Sequence, residues 1–322
     1  MSGKMKAVVL AAGKSKRMKS DRSKVVHEIL GKEIINYILD ALSQTGIKDE
    51  DIIIVVGENR TEVEFVVDRK VNYAVQKEQT GTADALMSAG SYLSGFDGDV
   101  LVTVGDNPYI TSVEFEKMII AHKNSGLKCT LLSAVFPTEP PPYGRILRDD
   151  SGRVDAIVEA VDADEEQLKI DEVNAGIYLF DNMTVFPLLK NIRSDNEKKE
   201  FYLTDIVSIL KKEGHLSGAV ITDNYFAAIG INNRMELSEA QSKFNDNNIR
   251  ILTEQNGVTV LQPETVTIEN DVKVGRDTII FPSTYLGSGT RIGNNCKIGP
   301  FVYLRNTEVS DGEEVSFRKI TG

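Results

Sequence analysis

The chain has little of what metal-bearing or disulfide-stapled folds depend on. Its two cysteines, Cys129 and Cys296, stand far apart without the spacing of a zinc site or a disulfide framework, which leaves two buried free thiols. Only three histidines occur, His27, His122 and His215, and they read as surface or helix residues without a catalytic role. No apolar run reaches the length of a membrane span or a signal-peptide core, so the chain reads as cytoplasmic. Positive charge is also in deficit: 37 Lys and Arg against 48 Asp and Glu give a net charge of -11. That balance excludes a general nucleic-acid surface or an anionic-membrane surface, each of which needs a basic face. What remains is a soluble composition, and 322 residues have room for one large or two ordinary domains.

Against that deficit one basic stretch stands out, LAAGKSKRMKSDRSK from Leu10 to Lys24. It follows a short apolar run and places Ala11, Ala12 and Gly13 ahead of six cations: Lys14, Lys16, Arg17, Lys19, Arg22 and Lys24. Small side chains let backbone amides approach a phosphate, and cations neutralise its charge. The spacing is neither that of a Walker loop nor that of a dinucleotide fingerprint. On spacing alone, a phosphate loop and a solvated basic loop fit equally.

From Met5 to about residue 135, β-rich runs at 5–10, 51–57, 71–75, 99–104 and 128–135 alternate with helix-period segments, such as that of Ile34, Ile35, Ile38, Leu39 and Leu42. Such alternation predicts an α/β, doubly wound, mostly parallel sheet with helices on both faces. Ligands of these sheets bind at the carboxyl ends of strands, near a switch in strand order. Residues 11–24, Gln76–Thr82 and Gly105–Pro108 each follow a predicted strand and therefore share one edge. Residues 136–230 are less regular, with further strands over 153–160 and 175–180 and helices over 200–213 and 232–248.

The C-terminal segment repeats. Ile268, Val274, Ile280, Leu286, Ile292, Ile298 and Leu304 fall at intervals of six, and small or β-branched residues recur four positions after the first six of them. A six-residue period predicts a parallel β-helix, its anchors pointing into a triangular prism with glycines at the corners. The register slips near Ser310, so little more than two coils and a ragged end are expected.

Phosphoryl or nucleotidyl transfer needs positioning and charge neutralisation more than proton abstraction, because a phosphate nucleophile is already ionised near neutral pH. Asp106, in Val-Gly-Asp-Asn-Pro, offers a strand-end carboxylate suited to Mg²⁺, although taken alone it reads first as a turn aspartate capping the next helix or loop. Asn232 sits in an Asn-Asn pair at the start of a predicted helix, where an N-cap is the plain reading.

Taken together, LAAGKSKRM (10–18) with Lys24, QKEQTGTADA (76–85), GDNP (105–108), YGRI (143–146), VE (158–159), VNAG (173–176), FYLTD (201–205) and GINNR (230–234) form an ordered series. In it the chain resembles the N-acetylglucosamine-1-phosphate uridyltransferases, usually the front half of a bifunctional enzyme whose back half is an acetyltransferase on a left-handed β-helix. The resemblance implies a nucleotide-diphospho-sugar transferase (Rossmann-like) domain over 1–231, a connecting helix over 232–250 and a short hexapeptide β-helix over 251–322. It also implies Mg²⁺-dependent uridylyl transfer from UTP to N-acetylglucosamine 1-phosphate, giving UDP-N-acetylglucosamine and pyrophosphate. The implied nucleotide loop is Leu10, Ala11, Ala12 and Gly13, with Arg17 and Lys24 catalytic on the phosphates. Gln76, Gly81 and Thr82 are implied to recognise uracil, Gly144, Glu159, Asn174 and Thr204 to contact the sugar, and Asp106 and Asn232 to hold Mg²⁺.

Departures from the family pattern are local. Ser15 and Lys16 replace a glycine and a threonine of the loop, and Ser23 replaces a proline. Asp84 replaces a histidine, Val104 an aromatic residue and Ala175 a threonine. None removes an implied charged ligand. Among the cations, Arg17 and Lys24 carry the phosphate role, while Lys14, Lys19 and Arg22 read as solvated charge. The repeat contains no histidine to serve acetyl transfer, so that activity is not expected. The repeat is expected instead to assemble subunits, as a homo-oligomer and by resemblance a trimer, or to be the remnant of a truncated chain. Alternatives are a nucleotidyltransferase for another sugar 1-phosphate, a catalytically weak nucleotide-sugar binding protein and a hexapeptide acyltransferase.

Overall fold

A computed structural model describes residues 4–58 and 60–322. Along β1 (Met5–Leu10), Ala7 and Val9 enter one apolar cluster and Val8 another, because successive strand side chains point to opposite faces. The next strand of the same sheet, β2 (Ile52–Val56), is buried at every position, as befits an interior strand covered on both sides. Seven more follow: β3 (Asn72–Val75), β4 (Asp99–Val104), β5 (Cys129–Val135), β6 (Arg145–Arg148), β7 (Val154–Val158), β8 (Glu172–Asp181) and β9 (Ser217–Thr222).

These nine strands form one sheet in the order β3-β2-β1-β4-β8-β5-β9-β7-β6. The first four in that order are parallel neighbours. Strand β8 runs antiparallel to both β4 and β5, while β9 pairs parallel with β5. Helices α1 (Ile34–Gln44) and α3 (Ser112–Ser125) bury Ile38, Leu42, Phe115 and Met118 against the face that carries Ala7. The opposite face receives Leu86 from α2 (Thr82–Ser88) and Ile206 and Leu210 from α4 (Ile206–Lys212). Each such side chain contributes about 1.5–3 kcal/mol relative to exposure. The sheet is thus doubly wound and Rossmann-like. Its switch in strand order lies at β1, whose neighbours β2 and β4 lead their chains away to opposite sides.

Two compact units divide the chain: residues up to Val26 with Ile34–Asn232, and His27–Glu33 with Asn233 onward. In the second unit, α5 runs Arg234–Asn256, longer than the helix expected over 232–250, and ends where Gly257 adopts φ 69°. Asn245 on α5 accepts from Ile268 N at 2.8 Å and donates to Val266 O at 2.7 Å. Side-chain amides thereby satisfy the edge of the first coil, which would otherwise present unpaired backbone. Asn270 donates to Leu30 O at 2.9 Å, which fastens the short hairpin of Glu28–Ile29 and Lys32–Glu33 to the same unit.

The hexapeptide segment forms a parallel β-helix with three sheets of four, four and three strands, and all seven sequence anchors are buried inside it. This exceeds the little more than two coils expected. The first strand, Thr259–Val260, is separated from the next by the turn Pro263–Thr265, which breaks the six-residue count. Beyond Leu304, Val309, Val315 and Ile320 continue the core through turns of five and six residues.

Candidate active site

The three loops named by the sequence meet at the carboxyl edge of the parallel strands. Ala11 N donates to Val55 O at 2.8 Å, Gln76 N to Val56 O at 2.8 Å and Gly105 N to Leu10 O at 2.8 Å, so each loop leaves its strand in register with its neighbour. A cleft of about 590 Å³ opens there, within the range of small-molecule sites. Leu10 to Gly13, Arg17, Lys24, Gln76, Gly81, Thr82 and Asp106 all line it.

The basic loop is pinned by Met18, which is fully buried at the end of a short 3-10 turn. On either side of that turn Ser15 (φ 51°) and Lys19 (φ 47°) take left-handed backbone conformations. Ser15 therefore stands where the family's glycine would be free of strain. Its hydroxyl gives something back: Oγ accepts from Lys24 N at 2.8 Å and donates to Gly13 O at 3.3 Å. Lys14 and Lys16 line the cleft beside Arg17, so Lys14, expected to be mere solvated charge, stands with the site cations.

From this tethered backbone, the Lys24 ammonium reaches the Asp106 carboxylate and lies 2.9 Å from Asn232 Oδ1. Asn232 Nδ2 donates to Gly230 O at 2.9 Å, which turns the amide oxygen towards the lysine. Gly230 packs close beside Asp106: a Cβ there would stand 3.0 Å from the carboxylate and crowd it. The plain alternatives for both residues are resolved by their neighbours. The helix after Asp106 is capped by Thr111 in a capping box with Glu114, and α5 is capped by Asn233, whose Oδ1 accepts from Met235 N and Glu236 N. Neither Asp106 nor Asn232 serves as the cap.

No group of three or more His, Cys, Asp or Glu side chains that could enclose a metal occurs among the described residues. The donor pair nevertheless fits Mg²⁺. Two hard oxygens already converge on one cation, and Mg²⁺ is commonly held by one or two protein ligands with water and substrate phosphates completing its shell.

Gly81 adopts φ 139°, and a Cβ there would collide with the backbone of Phe201. Phe201 N donates to Thr80 O at 2.8 Å, and Thr82 Oγ1 accepts from Leu203 N at 3.0 Å, so residues 201–203 are strapped to this loop. Gln76 is buried, and its Nε2 donates to Asp84 Oδ2 at 2.8 Å and to Gly81 O at 3.1 Å. Gln79, which sequence reasoning missed, donates Nε2 to Ala12 O at 2.5 Å and also lines the cleft. Its place in the QKEQTGTADA motif was the only available signal.

Gly144, Glu159, Asn174 and Thr204 form a second cluster. Asn174 N donates to Gly144 O at 2.8 Å, and Thr204 Oγ1 donates to Glu159 Oε1 at 3.2 Å. A Cβ on Gly144 would lie 3.5 Å from Glu159 Oε1. Register in β8 shifts immediately after Asn174, which still pairs with Ser133, and Asn174 Oδ1 accepts from Gly176 N at 3.1 Å in the irregular stretch that follows. Burial pushes the Glu159 carboxyl above its usual range, an effect that the Thr204 hydrogen bond opposes.

Comparisons with known proteins find relatives along nearly the whole chain. The nucleotidyl transferase family model matches residues 6–243, and the bacterial transferase hexapeptide model, of six repeats, matches residues 266–306. A protein of Caldanaerobacter subterraneus subsp. tengcongensis is 40% identical over 97% of this chain and 67% of its own length. One of Clostridium beijerinckii is 42% identical over 91% of this chain and 63% of its own, and one of Latilactobacillus sakei 37% identical over 96% and 66%. All three are named bifunctional protein GlmU, and the chain spans about two thirds of their length. With a family model covering most of its residues and relatives of this identity along nearly all of it, the chain belongs to the nucleotidyl transferase family, in the branch of the GlmU N-acetylglucosamine-1-phosphate uridyltransferases that its motifs resemble.

Proposed function

We propose that the chain transfers a uridylyl group from UTP to N-acetylglucosamine 1-phosphate, forming UDP-N-acetylglucosamine and releasing pyrophosphate. The observation that carries this reading is the convergence of Asp106 and Asn232 on the Lys24 ammonium, with Lys24 and Asp106 lining the cleft. An oxygen of the sugar phosphate attacks the α-phosphorus in line, and the bond to the bridging oxygen of pyrophosphate breaks. No general base is required, because the nucleophile is already ionised. The chain's own work is to place Leu10 to Gly13 against the phosphates and to bring Arg17 and Lys24 to the charge that builds on them. Gln76, Gly81 and Thr82 orient the base. Gly144, Glu159, Asn174 and Thr204 hold the sugar. Asp106 and Asn232 would hold Mg²⁺, which when bound supplies further neutralisation of the phosphate oxygens. Pyrophosphate release across a panel of UTP, CTP, dTTP and GTP with several sugar 1-phosphates tests the reading. UTP with N-acetylglucosamine 1-phosphate is the pair expected to react fastest. Binding of UDP-sugar without turnover of any pair would make the chain a nucleotide-sugar binding protein instead.

A different sugar 1-phosphate is the second reading, carried by Val104 in the cleft wall and Ala175 beside Asn174, both smaller than the family's residues there. For the second unit we propose assembly rather than acetyl transfer. No histidine occurs in its repeat, and Phe301 and Phe317 lie 63% and 72% exposed with ring centroids 5.7 Å apart. Trimers in sedimentation, and no thiol released from acetyl-CoA, are the expected results. A monomer at micromolar concentration would overturn the assembly reading.

A further inference from the structure

We propose that Asp84 sets the base preference of the cleft by locking the Gln76 side-chain amide with its oxygen turned towards the ligand. This rests on the nucleotide reading above and goes beyond it, because Asp84 stands where the family pattern has histidine. A glutamine amide offers two N–H donors and one acceptor oxygen, and it presents opposite chemistry when flipped by 180°. Here its nitrogen is engaged twice on the protein side, by Asp84 Oδ2 at 2.8 Å and by Gly81 O at 3.1 Å. An ionised carboxylate can only accept. A flipped amide would therefore set Gln76 Oε1 against a carboxylate and a carbonyl, with no proton to share. Gln76 is only 5% exposed, so water cannot relieve that clash.

The end left for the cleft is Oε1, an acceptor. A base fits it only by presenting an N–H there, as the imide of uracil or thymine does. Cytosine carries a bare ring nitrogen at the same place, so acceptor would face acceptor. Sites built to hydrogen-bond a ligand in this way reject the analogue that leaves their buried polar group unpaired. Asp84 need not touch the base; it acts through Gln76 and is a positioning residue.

The test measures binding of UTP, dTTP and CTP to the full chain by calorimetry, with Mg²⁺ present. Asp84→Asn keeps the shape but can turn either end of its own amide to Gln76, so the pair can flip together and offer a donor to cytosine. The Gly81 carbonyl still favours the original orientation, so the UTP-to-CTP affinity ratio is expected to fall about tenfold rather than vanish, by loss of one charge-assisted bond. Asp84→Ala, which leaves the amide a single partner, should lower the ratio in the same direction. Asp84→Glu, still purely an acceptor, should hold it near the wild-type value. A merely structural role would weaken all three nucleotides alike, and folded Asn and Ala variants with an unchanged ratio would overturn the inference alone. A wild-type chain that binds none of the three overturns the nucleotide reading and this inference together. Comparable wild-type affinity for UTP and dTTP supports the imide as the feature read, whereas equal affinity for UTP and CTP contradicts the lock.

Discussion

Asn232 Oδ1 lies 2.9 Å from Lys24 Nζ across 208 positions of sequence, and the same ammonium also binds Asp106. Two oxygens, one from the loop after β4 and one from the last residue of the sheet unit, thus share one cation. Removing the lysine from them requires another cation in its place. In the proposed reaction Lys24 would then be at liberty to meet phosphate oxygens, so one small cluster would serve both the metal and the transferring group.

Ser15 holds a strained backbone and a useful hydrogen bond at once, and two substitutions separate them. Ser15→Ala keeps the left-handed conformation, which costs about 1–2 kcal/mol, and loses the bond to Lys24 N, worth about 0.5–1.5 kcal/mol. Ser15→Gly loses the bond but also the strain. Denaturant unfolding should place the alanine variant about 1 kcal/mol below wild type and the glycine variant close to it. Equal stability of the two variants would show that the left-handed conformation carries no cost at this position.

Gly81→Ala meets both a φ of 139° and the Phe201 backbone. Strain of this kind costs about 1–3 kcal/mol, and here no flexible side chain can yield. The variant should unfold at lower urea concentration and bind UTP more weakly, since the strap from residue 201 to the base loop must shift. Unchanged UTP affinity in a destabilised variant would separate Gly81 from base recognition.

Glu159 tests electrostatics in the sugar cluster. Its carboxyl is raised by burial, so the folded chain holds this proton more tightly than the unfolded one. Stability therefore falls as pH rises from the usual glutamate range through the raised value, and above that the penalty is complete. Glu159→Gln removes the penalty. Thermal unfolding should find the variant more stable than wild type at neutral pH, with the gap closing as pH falls below the usual carboxylate range. Its sugar 1-phosphate binding should meanwhile weaken about tenfold, by loss of a charged hydrogen-bond partner. A variant less stable than wild type at neutral pH would contradict the burial penalty.

Much of this arrangement is legible in the chain because local patterning and tertiary structure agree. Five apolar runs give β1 to β5, and the six-residue anchors give the β-helix core. The reversed direction of β8 is not legible, since parallel and antiparallel strands share the same alternation of side chains. Nor is the assignment of His27–Glu33 to the second unit, which depends on bonds such as Asn270 to Leu30 between residues 240 positions apart. Asn232 and Asn233 are identical as letters, and only the fold divides them into a cation-facing amide and a helix cap. Gln79 is not singled out by its motif and Lys14 reads as solvated charge, because their place in the cleft follows from loop paths rather than from any periodicity.

The most direct measurement is pyrophosphate release from UTP and N-acetylglucosamine 1-phosphate at saturating Mg²⁺, by the wild-type chain and by Asp106→Ala. The wild type should release pyrophosphate only when both substrates are present, and the variant should be slower by about 10²–10³-fold, the usual loss for one charge-stabilising contact. No release by the wild type, or a near-normal rate in Asp106→Ala, would contradict the assignment of uridylyl transfer to the Lys24, Asp106 and Asn232 cluster.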